Sequence, residues 1–293
     1  MISGCARISN PTEPVPTQNR PSGSTKTQTI QLNTQKRAQT SAAPGRTPVQ
    51  QYGGTAGGPG GSRAPVTNAP LDNGTTGGNA YWYLNQKTPE LDIEIDAIQG
   101  MAPSQQSIDL LNQRLHQVAD KPAGINLLPV RILSGESRST WADADVMSVE
   151  RRYRTTHNSL ARGSIYMLFV DGQPQQQGPI GIAYSSSTDV IFEQAIRDAA
   201  TPLVSAQEIE QAAMVHEVGH LLSLVNLTYH SPRPHEDPNH PGHSSDPNSV
   251  MYWAIDNVGV ATLLGGHTQP PTGFDPDDLA DLNDVKAGKL GPH

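Results

Sequence analysis

The sequence predicts a mixed α/β (α+β) domain: a twisted, mostly parallel mixed sheet, a helix carrying two histidines, and a small irregular C-terminal subdomain that ends in a helix. Three observations carry that expectation. Strand-like and helix-like stretches alternate between residues 91 and 225. The longest strong apolar run, residues 165–170, is strand-sized and continuous, as for a central strand covered on both faces. Beyond residue 226 regular patterning gives way to Pro, His, Asp and Ser, until an acidic helix start at Asp275.

The first 79 residues stand apart. They are rich in Pro, Gly, Ser, Thr, Asn and Gln, with Tyr52 as their one aromatic residue and glycine pairs such as Gly53-Gly54 and Gly77-Gly78. Such a stretch buries too little apolar surface to offset its ordering entropy, so residues 1–79 are expected to be a disordered tether and residues 80–293 the folded domain. Seven Lys/Arg and two Asp/Glu give the tether +5, leaving −13 for the remainder of a chain of net charge −8. An acidic folded part argues against nucleic acid as a partner. The one cysteine, Cys5, leaves the fold without an internal disulfide, and no apolar run is long enough to span a bilayer. Ile2-Ser3-Gly4-Cys5 resembles the lipobox that closes a bacterial lipoprotein signal peptide, with the charged and apolar parts of that peptide missing from this sequence. That resemblance implies an extracytoplasmic protein whose contact with the membrane is a lipid on Cys5.

The elements follow in order. Order is expected to begin near Ala80-Tyr81-Trp82-Tyr83. Residues 91–96 alternate apolar and acidic side chains, the period-two pattern of a half-buried strand. Ser104 caps a helix whose Ile108, Leu111, Leu115 and Val118 recur at helical spacing. Residues 127–133 form a strand placed near an edge by Pro129. Residues 141–156 read as helix, 165–170 as the central strand, 181–184 and 190–192 as short strands, and 193–200 as helix. Ser205-Ala-Gln-Glu208 then has the form of a capping box, opening a helix with Ile209, Ala212, Ala213, Val218, Leu221, Leu222, Leu224 and Val225 on a broad apolar surface and Asn226 as its stop.

That helix carries the chemistry, in Met214-Val-His216-Glu217-Val-Gly-His220-Leu221. Residues four apart lie on one helix face a turn from each other, so His216 and His220 can reach one metal ion. Glu217 sits beside that ion, where a carboxylate can take a proton from a bound water. Two histidines on a solvated face would be the bland alternative, but buried polar groups need a partner or a ligand. The spelling HExxH is that of zinc metallopeptidases.

Catalytic zinc takes three protein ligands and leaves a position for water. Downstream of His220 the sole glutamate is Glu236, in a proline-bounded loop, which fits the thermolysin-like arrangement poorly. The short metzincin spacing puts Ser223 at the glycine and Asn226 at the ligand, and asparagine binds zinc poorly. His243-Ser244-Ser-Asp-Pro-Asn-Ser249-Val-Met251 has the form H-S-x4-S-x-M. It resembles the archaemetzincin signature, a third histidine followed by C-x4-C-x-M, with serine in place of both cysteines. The chain is thus similar to metzincin zinc peptidases of archaemetzincin or matrixin type. The resemblance implies one zinc ion on His216, His220 and His243, an insertion across residues 224–242, and Met251 as the methionine of the turn beneath the metal. Two departures stand: Ser223 replaces the glycine, and the later C-x-x-C that holds a second zinc in archaemetzincins cannot exist here. Asn226, His230, His235 and His240 are rivals for the third position, as are Asp237 and Asp246. Glu236, Asp237 and Asp246 offer oxygen donors that calcium could use, at a density also common in exposed loops. His116, His157, His267 and His293 read as structural or solvated.

These readings lead to a zinc-dependent endopeptidase acting on a protein or peptide substrate, with Glu217 as general base to a zinc-activated water. The resemblance also implies that an edge strand over residues 181–185 pairs with an extended substrate. Tyr252 follows Met251 by one residue, whereas tyrosine-assisted metzincins place it two after, so it reads as a buried aromatic. Two alternatives stay open. One is a non-catalytic, surface-tethered binding protein with a structural zinc, recognisable by a fourth protein ligand; the other is a zinc hydrolase acting on cell-wall peptides.

Overall fold

The sheet is built on the two strands with the strongest sequence signal. In the computed structural model, which describes residues 69–175, 178–256 and 268–291, β1 (Glu90–Ile98) and β5 (Arg162–Val170) pair in parallel, Glu90 opposite Arg162 through Ala97 opposite Phe169. Cys5, most of the expected tether, His267 and His293 lie outside the described residues. Every residue of β5 from Gly163 onward is buried, in keeping with its continuous apolar run. β8 (Thr188–Phe192) adds to β5 in parallel, and β7 (Gly181–Ala183) closes that side antiparallel to β8. On the other side β2 (Gly124–Leu127) and β3 (Arg131–Leu133) both pair with β1 in parallel. The single edge strand expected over residues 127–133 is therefore two strands. Pro129 lies in the break, where a fixed φ and a missing N–H cannot continue a ladder. A separate parallel pair joins β4 (Thr140–Trp141) to β6 (Gln173–Pro174). The result is a mixed α/β fold around a mostly parallel sheet.

β1 departs from the half-buried strand its alternation suggested. Leu91, Ile93 and Ile95 face the core, but Asp92, Glu94 and Asp96 on the other face are buried as well. They are matched group by group. Arg131 pairs with Glu94 and Asp96, Arg162 pairs with Asp92, and the Tyr166 hydroxyl donates to Asp96 at 2.7 Å. Burial pushes the Glu94 carboxyl up, yet N–H and O–H donors from Thr155 and Thr156 outweigh it and hold the group below the usual range. Acidic alternation marked the strand correctly and its solvent exposure wrongly.

The helices are α1 (Ala80–Leu84), α2 (Gln105–Val118), α3 (Asp143–Tyr153), α4 (Glu193–Ala199), α5 (Ala206–Leu221) and α6 (Pro276–Lys286), with a 3-10 turn at Trp253–Asp256. Both expected caps form: the Ser104 hydroxyl accepts from Ser107 N–H, and Ser205 and Glu208 close a reciprocal capping box. α5 packs against α2, α4, β7 and β8, and its residues from Met214 to Leu221 are all buried, so it is a core helix rather than a surface one. It stops at Leu221 and not at Asn226. The chain then turns through Ser223 (φ 76°) and Asn226 (φ 59°), both left-handed. Ser223, at the position where the metzincin spacing has glycine, adopts the glycine-like conformation, and its hydroxyl accepts from Thr228 N–H.

Residues 69–79 correct the expected boundary at Ala80. Asn79 is 1% exposed, and its amide nitrogen donates to the Leu71 and Ser186 carbonyls and to the Tyr83 hydroxyl. Gly74 N–H donates to Ser186 Oγ, and Asp72 sits 3.3 Å from Arg154. Gly77, read as linker, has φ +78° and lies so close to the post-α5 turn that a Cβ there would be 2.8 Å from Ser223 Cα. Composition misses this segment because it docks through polar contacts rather than a hydrophobic pattern. No helix among the described residues is long and apolar enough to cross a membrane.

Candidate metal centre

Helix period alone brings His216 and His220 onto one face, and their surroundings fix how they point. His216 Nδ1 lies 2.7 Å from the Val250 carbonyl and His220 Nδ1 lies 2.8 Å from the Leu224 carbonyl. A carbonyl only accepts, so each Nδ1 carries the proton and each Nε2 presents a lone pair. The two Nε2 atoms face each other at 3.0 Å. His216 is fully buried and His220 nearly so.

The third imidazole comes from the loop beyond α5. Val225 N–H donates to the Gly242 carbonyl, Gly242 N–H donates to Glu236, and Asp237 N–H donates to the His243 carbonyl. Gly242 has φ +87°, a backbone turn that suits glycine and delivers His243 to the helix. The His243 ring centroid stands 5.3 Å from that of His216 and 5.0 Å from that of His220. One nitrogen from each of the three histidines falls within 4.8 Å of the others, a group able to hold a metal ion.

The structure therefore gathers His216, His220 and His243 and leaves their rivals elsewhere. His230 is exposed. His240 stacks on Trp253 at 4.0 Å and lies 3.2 Å from Asp237. Asn226 is spent on its own loop, donating to Glu236 and accepting from Ser231 N–H. Asp246 accepts from Asn248 N–H. Glu236, Asp237 and Asp246, the oxygen donors considered for calcium, belong to neither of the metal-competent groups found among the described residues.

Glu217 is 2% exposed and lies against the sheet edge. A Cβ added to Gly181 of β7 would come within 2.7 Å of Glu217 Cγ, so the strand and the carboxylate are in close packing. Met251 is fully buried beneath α5, and a Cβ at Gly219 would collide with its sulfur. The methionine segment is also tied to the helix by the hydrogen bond between Val250 and His216. Tyr252 is half-buried, with its ring 5.4 Å from that of Trp253.

A second group escaped the sequence. His235, Asp275 and Asp278 are all buried and bring one donor atom each within 4.8 Å of the others. Burial, then the charge of Asp275, pushes the Asp278 carboxyl up to about 7. Burial lowers His235, but Asp281, Asp278 and Asp275 outweigh it and hold the imidazole above its usual value. The signal available was the Asp-x-x-Asp spacing at the start of α6; nothing in the sequence tied it to a loop histidine.

The three-histidine centre holds His216 and His220 in fixed tautomers, and the same helix carries a buried carboxylate packed against the edge of β7. No protein-family model matches this chain, and no curated protein matches it in sequence.

Proposed function

We propose that this chain is a zinc-dependent endopeptidase of metzincin-like type, with His216, His220 and His243 as metal ligands and Glu217 as general base. The observation that carries the reading is the convergence of three imidazoles at a helix that also carries the buried carboxylate of Glu217. The donor set suits the ion: neutral imidazole is a common zinc ligand, and two Nε2 lone pairs 3.0 Å apart repel unless a proton or a cation lies between them. When bound, zinc supplies a Lewis acid that draws the pKa of a water towards ~7 and polarises a carbonyl.

The chain's own residues do the rest. Glu217 accepts the proton of the attacking water and returns it to the leaving amine. β7, the last strand of the sheet on that side, offers its outer backbone groups to an extended peptide, which would run past Glu217 as an added strand. Met251 packs as a floor under Gly219 and takes no part in bond making. A purely structural zinc needs a fourth protein ligand, and among the described residues the group has three members, which favours hydrolysis. The lipobox-like sequence at Cys5 adds an extracytoplasmic, lipid-anchored location to the proposal.

Glu217→Gln tests it. The variant should bind as much zinc as the wild type while its kcat/KM on casein falls by about 10²–10⁴, the usual contribution of a positioned general base. Undiminished hydrolysis would remove Glu217 from that role.

A further inference from the structure

We infer that the protein holds a second divalent cation of the zinc class, on His235, Asp275 and Asp278, and that this ion fastens the His243 loop to α6. The inference stands apart from the hydrolase reading and does not depend on it.

The geometry of His235 carries the argument. Its Nε2 lies 2.9 Å from Asp281 Oδ2, a carboxylate that itself accepts from Ser231 and Arg233, so Nε2 holds the proton. Nδ1 then presents its lone pair inward. It is buried and has no hydrogen-bond partner, and neither has Asp278 Oδ1, which faces it at 3.6 Å. That separation is too long for a hydrogen bond. It is the spacing of two donors on one ion bound at ~2.0–2.2 Å, and a carboxylate on the far nitrogen of a ligating imidazole is the usual way such a ring is oriented. His235 is 5% exposed and Asp278 0%, so bulk solvent does not reach either atom.

The two aspartates are set by the helix start. Asp275 is the N-cap of α6 and accepts from Asp278 N–H, while Asp278 Oδ2 accepts from Asp275 N–H and from Ser249 Oγ. This reciprocal cap uses one oxygen of each and leaves Asp278 Oδ1 pointing at His235. One imidazole and two carboxylates suit zinc and its neighbours; calcium wants six to eight oxygens, more than these residues offer.

The site lies next to the first through the backbone. Ser245 N–H donates to the His235 carbonyl, Glu236 bridges Ser244, and Ser244 N–H donates to the Met251 carbonyl. An ion on His235 thereby braces the segments that carry His243 and Met251.

Zinc content of the full chain, measured after loading and removal of excess ion, tests the assignment together with X-ray absorption at the zinc edge. The wild type should bind two equivalents, and the His216→Ala/His220→Ala form should keep one whose spectrum reads a single imidazole among oxygen ligands. His235→Gln should lose that equivalent and keep the one at the three histidines. A wild type that binds one equivalent with several imidazoles overturns the inference, and so does a His216→Ala/His220→Ala form that folds and binds none. These counts are indifferent to peptidase activity. An inactive protein with two equivalents sinks the hydrolase reading alone; an active one with a single imidazole-rich equivalent sinks the second site alone. Should either variant fail to fold, the wild-type count and spectrum still decide.

Discussion

Gly181 and Glu217 share a volume that has no room for another methyl group. A side chain at 181 must displace the carboxylate or the edge strand, and misplacing a catalytic group by about 1 Å costs on the order of 10²-fold in rate. On the proposed hydrolase reading, Gly181→Ala is therefore expected to lower kcat/KM by about that factor, while zinc content stays at the wild-type level. Full activity in this variant would show that the contact does not position the base. At this scale the legible residues were those whose geometry is local. The placing of His216 and His220 on one face follows from helix period, and that of His243 beside them is expected from a spacing to Met251 that the resemblance supplies. Gly181 reads from the sequence as part of an edge strand, and its contact with Glu217 does not, because that neighbour is fixed by tertiary packing. His235 reads from the sequence only as a rival third ligand, since its partners Asp275 and Asp278 come from the start of α6, distant in the chain.

Between elements, the junction of α4 and α5 buries two carboxyl groups. Glu193 at the first position of α4 meets Glu210 of α5, and burial, then the Glu210 charge, pushes its carboxyl up to about 8 despite the ion pair to Arg197. A folded-state value above the unfolded one means stability that is fully present below about pH 4.5 and lost as pH rises through about 8. Glu193→Gln removes that loss. Urea unfolding at pH 5 and pH 9 should show the variant gaining on the wild type as pH rises, by at most about 1.4 kcal/mol per pH unit for one proton. A gap that does not change with pH would mean that Glu193 is not protonated in the native protein. Elements announced by their own ends were well read: Ser104, Ser205 and Asp275 each cap the helix expected of them. Elements decided by their neighbours were not. The pairing of both β2 and β3 with β1 and the buried acidic face of β1 depend on which strand and which arginine lie alongside.

Across the whole molecule, Arg154 ties the N-terminal segment to the sheet. Its side chain is 2% exposed and reaches Glu150 of α3, Ser164 of β5, Ser187 and Thr188 at the start of β8, and Asp72. Removing one partner of a buried ion pair leaves the other charge stranded, typically at about 3–5 kcal/mol. Arg154→Met should lose stability of that order in denaturant unfolding; a change below about 1 kcal/mol would show that the network is wet or redundant. The parallel sheet and its central strand were legible from alternation of element types and from one continuous apolar run. The docking of residues 69–79 was not, because glycine, asparagine and aspartate spell a linker whether or not a partner waits for them. One last feature bears on how the three-histidine group would take up an ion. The rings of His216 and His220 are each clamped by a main-chain oxygen, one from the methionine segment and one from the turn after α5. Uptake should then require almost no rearrangement, with a heat-capacity change near zero in calorimetry. A chelator should strip that centre while the far-ultraviolet spectrum stays put: a vessel already in shape before it is filled.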